Sequence, residues 1–296
     1  MLLWGPWGKA KHSLAVRAAP TNLKTAPTDS MRRLIINCDD YGWDATATAA
    51  IQELAAQGRI SSTTVMANLA TDADLRALGP LQAHVSTGLH LNLIDGPPLS
   101  RASAVRTLLG PDGQFFKGQQ LLMRFLSGRV RVSELETEVV AQLARLARFD
   151  VPVSHADSHQ HQHLFPALGP VLTGILRRHG IRRLRRWSSQ PGYALRGQLL
   201  NAFGVASRYG LRGFQSPNAL VADFSAAQDA TLPLFARGLA RAFRRGPVVE
   251  FMTHPGLTNR ETSYLNRVAE YEFWRDGAWP EYLMENQIQL VRYDEL

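Results

Sequence analysis

The chain has 296 residues, 45% of them hydrophobic and 20% charged, a globular composition that excludes a wholly disordered polymer. No run approaches the roughly 20 apolar residues of a membrane span, and the single cysteine, Cys38, excludes an intramolecular disulfide framework and a cysteine-rich zinc site. The formal net charge of +8 is almost all arginine, with lysine only at Lys9, Lys11, Lys24 and Lys117, and by itself does not choose between nucleic acid, an anionic surface and an acidic substrate.

Residues 1–30 are basic, have no acid before Asp29 and show no sustained period. Without the apolar core of a secretory signal, they read as a disordered extension, an upstream start or an organelle-targeting leader. From Arg32 the pattern changes. Leu34–Cys38 predicts a buried strand, followed by a helix with Asp44 as N-cap and Gly58 just past its end. Thr63–Ala67 and Val85–Leu91 predict strands, with a short helix near Asp72–Leu78 between them. Residues 95–130, rich in Gly, Pro and aromatics, read as a long insertion. Ser133 and Glu136 have the spacing of a capping box opening a helix to about Phe149. Next come a strand at Val153–Ser158, a helix from Pro166 to His179 closed by Gly180, and a strand at Ile181–Arg186. Helices near 195–208 and 226–245, a strand at Val248–Thr253, a helix near 261–275 and a strand at Ile288–Tyr293 complete the chain. This alternation argues for an α/β fold with a parallel sheet. About seven or eight strands in residues 31–296 suit one (β/α)-barrel domain, complete or not, better than an open doubly wound sheet. No Gly-rich fingerprint follows the first strand, so no dinucleotide site is expected.

Four polar clusters stand at predicted strand ends: Asp39–Asp40, His90, the segment His155–His163, and His254-Pro255. In a parallel barrel such ends converge on one mouth. Adjacent carboxylates repel unless a cation or a shared proton offsets them, and alone such a pair reads as a turn or cap. His90 alone reads as a core histidine. His155–His163 differs, because it sets four of the nine histidines and Asp157 at every second position. Period two puts His155, Asp157 and His159 on one face, directed at the mouth, with His161 and His163 past the strand end. A His/His/Asp set suits a divalent metal that activates water, and the chemistry then needs a base and an acid.

At these residues the sequence resembles the YdjC-like carbohydrate deacetylases, which include chito-oligosaccharide deacetylases. The resemblance runs from about Arg33 to Tyr293. It is carried by Asn37-Cys38-Asp39-Asp40-Tyr41-Gly42, Ser61-Ser62-Thr63-Thr64, Gly88-Leu89-His90, His155-x-Asp157-Ser158-His159-x-His161-x-His163 and Thr253-His254-Pro255. It implies a distorted (β/α) barrel similar to that of NodB-type polysaccharide deacetylases. It also implies Asp40, His90 and His159 as metal ligands, Asp39 as general base and His254 as acid. The family usually has Phe at Tyr41, Ala at Cys38 and a smaller aliphatic residue at Trp43, so Tyr41 and Trp43 are expected to reshape the pocket rim. The insertion is expected to form one wall of the sugar site.

The expected activity is hydrolysis of the acetamide of N-acetylated amino sugars, with a divalent ion, Mg or Zn. Rival readings are hydrolysis of another bond such as a phosphoester at the same site, or non-catalytic binding of an anionic polymer. The run Arg177–Arg186 could serve such a polymer, but it reads better as a helix C-terminus and a solvated strand edge. Neither nucleic acid nor a membrane span is expected. A cytoplasmic location and a homodimer are expected at the family level.

Overall fold

The first strand, β1 (Arg32–Tyr41), divides its side chains as alternation requires. Leu34, Ile36 and Cys38 join the large core shared with the surrounding helices, whereas Ile35 joins Val248, Val291 and Tyr293 on the other face. The computed structural model describes residues 31–188, 195–207, 210–225, 229–261 and 263–296, so the basic segment 1–30 lies outside the described residues.

The other strands are β2 (Ser62–Val65), β3 (Ser86–Leu91), β4 (Ala156–Ser158), β5 (Ala219–Val221), β6 (Val248–Thr253) and β7 (Ile288–Leu290). All pair in parallel, in the order β4-β3-β2-β1-β6-β5, with β7 against the start of β1. Bridges Ala156↔Leu184 and Arg183↔Gln215 carry the sheet from β4 towards the segment entering β5. The sheet thereby curls into a distorted (β/α) barrel. The expected strand Ile181–Arg186 survives only as these bridging residues. β5 was not legible: an apolar triplet following Pro217 is too short to show a period.

The helices are α1 (Ala45–Ala56), α2 (Asp72–Ala77), α3 (Gly118–Leu126), α4 (Val132–Arg148), α5 (Leu168–Arg178), α6 (Leu195–Ala206), α7 (Leu232–Ala242), α8 (Arg267–Asp276) and α9 (Trp279–Glu285). Asp44 caps α1 as expected, its Oδ1 accepting from Thr46 N and Ala47 N; such a cap contributes about 1 kcal/mol. The capping box at Ser133–Glu136 does not form. α4 begins two residues earlier, with Arg131 rather than Ser133 at its N-cap, and Glu136 instead pairs with Arg178 and His179 across to the end of α5. α7 and α8 start later than the predicted 226 and 261, and α9, opened by Pro280 in its first turn, occupies a stretch read as a connection. Residues 95–130 fold around α3 and a bridge between Leu109 and Phe115. Phe224, Phe235, Phe251, Phe273 and Trp274 form an aromatic cluster outside β5 and β6, which seats α7 and α8 against the sheet. Among the described residues no helix is long and apolar enough to cross a membrane.

Candidate active site

Asp39 follows the inward alternation of Ile35 and Asn37, and Asn37 Nδ2 donates to its Oδ1 at 2.8 Å. Asp40 would then face outward, but its φ of 68° turns the chain, and the β1–β2 register shifts between Cys38 and Tyr41. Aspartate tolerates this left-handed backbone better than most residues. Both carboxylates therefore reach the barrel mouth and both are 2% exposed. Each has its own arginine. Arg185 grips Asp39 with Nη1 and Nη2 at 2.6 Å each, and Arg267 Nη2 lies 2.6 Å from Asp40 Oδ2. Burial opposes ionisation of Asp39 and Asp40, but these guanidinium groups outweigh it and hold both carboxyls well below the usual range.

The three expected ligands converge. Asp40 Oδ1 lies 3.3 Å from His90 Nε2 and 3.1 Å from His159 Nδ1. The set of one carboxylate and two imidazoles, all buried, has its donor atoms within 4.8 Å of one another. His90 is turned by Asp157, whose Oδ1 meets Nδ1 at 2.7 Å and leaves Nε2 directed at Asp40. A carboxylate behind a histidine in this way is the usual outer support of a metal ligand. Thr64 Oγ1 adds a bond to Asp157 Oδ2 at 3.1 Å. This donor set, with its second-layer support, fits a divalent cation.

The period-two reading of His155–His163 needs correction. Only His159 reaches the mouth. His155 lies deeper, stacked on Tyr293 at 3.7 Å, with Nδ1 2.8 Å from Ser154 Oγ and Nε2 3.3 Å from Asn37 Oδ1. Burial, reinforced by Arg185, pushes its pKa well below the ordinary histidine value, so it is a neutral core residue. After His159 the backbone turns left-handed at Gln160 and His161 and the alternation ends. His161 packs on Trp187 at 4.9 Å, and His163 Nδ1 meets Ser158 Oγ at 2.6 Å. Gly88 makes room for the His155 ring, because a Cβ there would stand 2.5 Å from Cε1. Gly88→Ala is therefore expected to destabilise the fold by about 1–3 kcal/mol. An unchanged urea midpoint would show that the ring moves aside freely.

Arg185 is a central group that sequence reading missed. Besides Asp39 it meets Asp157 Oδ2 and Glu250 Oε1, both at 2.7 Å, while 1% exposed. Burial and the neighbouring Asp157 carboxylate push Glu250 up, Arg185 and the Tyr293 hydroxyl pull it down, and the balance raises it to about 7. No local signal singles out Arg185, because Arg182, Arg183 and Arg186 stand in the same run. Elsewhere in the basic run, Arg177, Arg182 and Arg183 donate to backbone carbonyls, and Arg178 pairs with Glu136.

His254, at the end of β6, places Nε2 3.7 Å from Asp39 Oδ2, and its Nδ1 meets Ser225 Oγ at 3.0 Å. Burial lowers its pKa against the raising effect of Asp39, Asp40 and Glu270. Trp43 stands at the rim beside His159, its face covered by the Arg260 guanidinium at 3.9 Å. Asp95, at the start of the insertion, binds Trp43 Nε1 and Lys117 Nζ, both at 2.8 Å, and so ties the insertion to the rim. Tyr41 is not at the rim: it is fully buried and donates to Asp74 O at 2.7 Å. A cavity of about 390 Å³ lined by Arg186, Trp187, Asn201, Asn218 and Arg245 contains none of the five candidate residues.

The model of the YdjC-like protein family matches residues 33–285. A carbohydrate deacetylase of Brevibacillus brevis is 27% identical over 271 residues, covering 89% of this chain and 99% of its own. A carbohydrate deacetylase of Mus musculus is 28% identical over 245 residues, covering 76% and 78%. A chitooligosaccharide deacetylase of Yersinia enterocolitica is 27% identical over 231 residues, covering 77% and 83%. A solved structure described as a cellobiose-phosphate cleavage protein of Enterococcus faecalis has a TM-score of 0.69 at 20% identity, over 90% of this chain and 99% of that one, a likeness of fold.

Proposed function

Because the chain belongs to the YdjC-like protein family, we propose that it is a carbohydrate deacetylase that hydrolyses the acetamide of N-acetylated amino sugars. The observation that carries this reading is the convergence of Asp40 Oδ1, His90 Nε2 and His159 Nδ1 beside Asp39 and His254. The names of the relatives support the substrate class. A divalent cation held by Asp40, His90 and His159 would supply Lewis acidity towards the acetamide carbonyl and make water more acidic.

The protein's own groups do the proton work. Asp39 takes a proton from the attacking water as the carbon–oxygen bond forms. His254 delivers a proton to the amide nitrogen as the carbon–nitrogen bond breaks, giving acetate and the free amino sugar. Asp39 Oδ2 and His254 Nε2 are 3.7 Å apart, beyond a direct hydrogen bond, so a bridging water would carry the proton gained by the first to the second. Arg185 holds the Asp39 carboxylate in one orientation throughout, and Arg267 does the same for Asp40.

Acetate release from a panel of N-acetylated sugars, with and without chelator, tests the reading. Chelation is expected to abolish release and to lower the melting temperature, since the ligands come from three strand ends that the ion ties together. A divalent ion should restore both. Full turnover in a rigorously metal-free preparation, or phosphate release from phosphorylated sugars without acetate release from acetylated ones, would overturn it.

A further inference from the structure

Behind His254 runs a buried chain of hydrogen bonds whose directions are fixed by donor chemistry. Trp274 Nε1 can only donate, and it gives its proton to Thr253 Oγ1 at 2.6 Å. Thr253 must then donate its own proton to Glu270 Oε2. The same oxygen accepts the backbone N–H of His254 at 2.8 Å, so Glu270 Oε2 acts as an acceptor. Ser225 Oγ, 3.0 Å from that oxygen, donates to it as well. A serine has one proton to give. With it committed to Glu270, Ser225 Oγ can only accept from His254 Nδ1, 3.0 Å away. Thr253, Ser225 and Glu270 are all at most 3% exposed, which leaves solvent little access to exchange these partners.

We infer that Ser225 and Glu270 are positioning residues that hold His254 as the Nδ1–H tautomer, with Nε2 the ring nitrogen that takes and gives the proton on the Asp39 side. The pair does with an interposed hydroxyl what a carboxylate does directly behind the histidine of a hydrolase triad. Glu270 anchors the ring through Ser225 and the main chain through the His254 N–H, so both are set from α8. The inference rests on His254 being the acid of the proposed reaction.

The test compares Ser225→Ala, Ser225→Thr, His254→Ala and the double variant of the full chain on two substrates: an N-acetylated amino sugar and 4-nitrophenyl acetate, whose leaving group departs without a proton. Nitrogen-15 spectra of labelled histidine report the tautomer of His254 independently of activity. Ser225→Ala is expected to lose roughly 10–100-fold on the amide, a part of the full worth of a positioned acid, and little on the ester. Its His254 signals should shift from the Nδ1–H pattern to a mixture. Ser225→Thr should restore both, and adding Ser225→Ala to His254→Ala should cost nothing further. Equal losses on amide and ester, an unchanged tautomer, or an undiminished amide rate in Ser225→Ala would overturn the inference while His254→Ala still behaved as an acid variant. If His254→Ala itself lost amide and ester activity alike, the acid assignment would be what had failed, and the inference would fall with it.

Discussion

Asp39→Asn is expected to retain most of its bound metal yet lose roughly 10²–10⁴-fold in turnover, the usual worth of a positioned base. Asp40→Asn should lose metal and activity together. This expectation rests on the different surroundings of the two carboxylates. The left-handed turn at Asp40 separates the side chains, so that Asp40 faces His90 and His159 while Asp39 faces Arg185 and His254. Metal content and acetate release measured on both variants decide the matter. If Asp39→Asn loses the metal and Asp40→Asn keeps it, the roles are reversed. If both keep metal and turnover, the pair is a turn and the mechanism fails.

Arg185→Met is expected to destabilise the fold by about 3–5 kcal/mol, the cost of leaving buried charges without their partner, and to reduce turnover sharply. Its guanidinium is shared by Asp39, Asp157 and Glu250, which would otherwise face one another across a dry interior. Arg185→Lys should rescue little, since one ammonium cannot reproduce the planar fork that meets three carboxylates. Arg182→Met, from the same basic run but exposed, with a side chain that donates to the Arg177 carbonyl, should change stability by no more than about 0.5 kcal/mol. Denaturant midpoints for the three variants provide the check. A stable, active Arg185→Met protein would show that the buried carboxylates do not need this cation.

The two arginines also answer a question posed by the Asp-Asp pair. Repulsion between the carboxylates called for an offsetting cation. The structure supplies a guanidinium for each, so both carboxylates already have an offsetting cation within the chain itself. Arg267 and Glu270, three residues apart on α8, serve the two halves of the site: one steadies Asp40, the other the chain behind His254.

The sequence by itself determined the alternation of strands and helices, the capping of α1 by Asp44, and the placement of Asp39–Asp40, His90, His159 and His254 at strand ends. Those features are local: an apolar run followed by a polar residue, or a cap followed by a periodic segment, is written in adjacent positions. Tertiary structure decided the rest. Alternation says which face a side chain takes but not how deep it lies, so His155 and His159 share a face while one is core and the other lines the mouth. Ser133 and Glu136 have capping-box spacing, yet Glu136 bonds across to the end of α5, because that helix end offers it the Arg178 guanidinium and the His179 ring as partners. Nor could local pattern select Arg185 from the arginines of 177–186, or bring Arg267 to Asp40 from 227 positions away. Those pairings exist only when the sheet curls, because burying a charge is tolerated where folding delivers an opposite one, and that partner lies far along the chain.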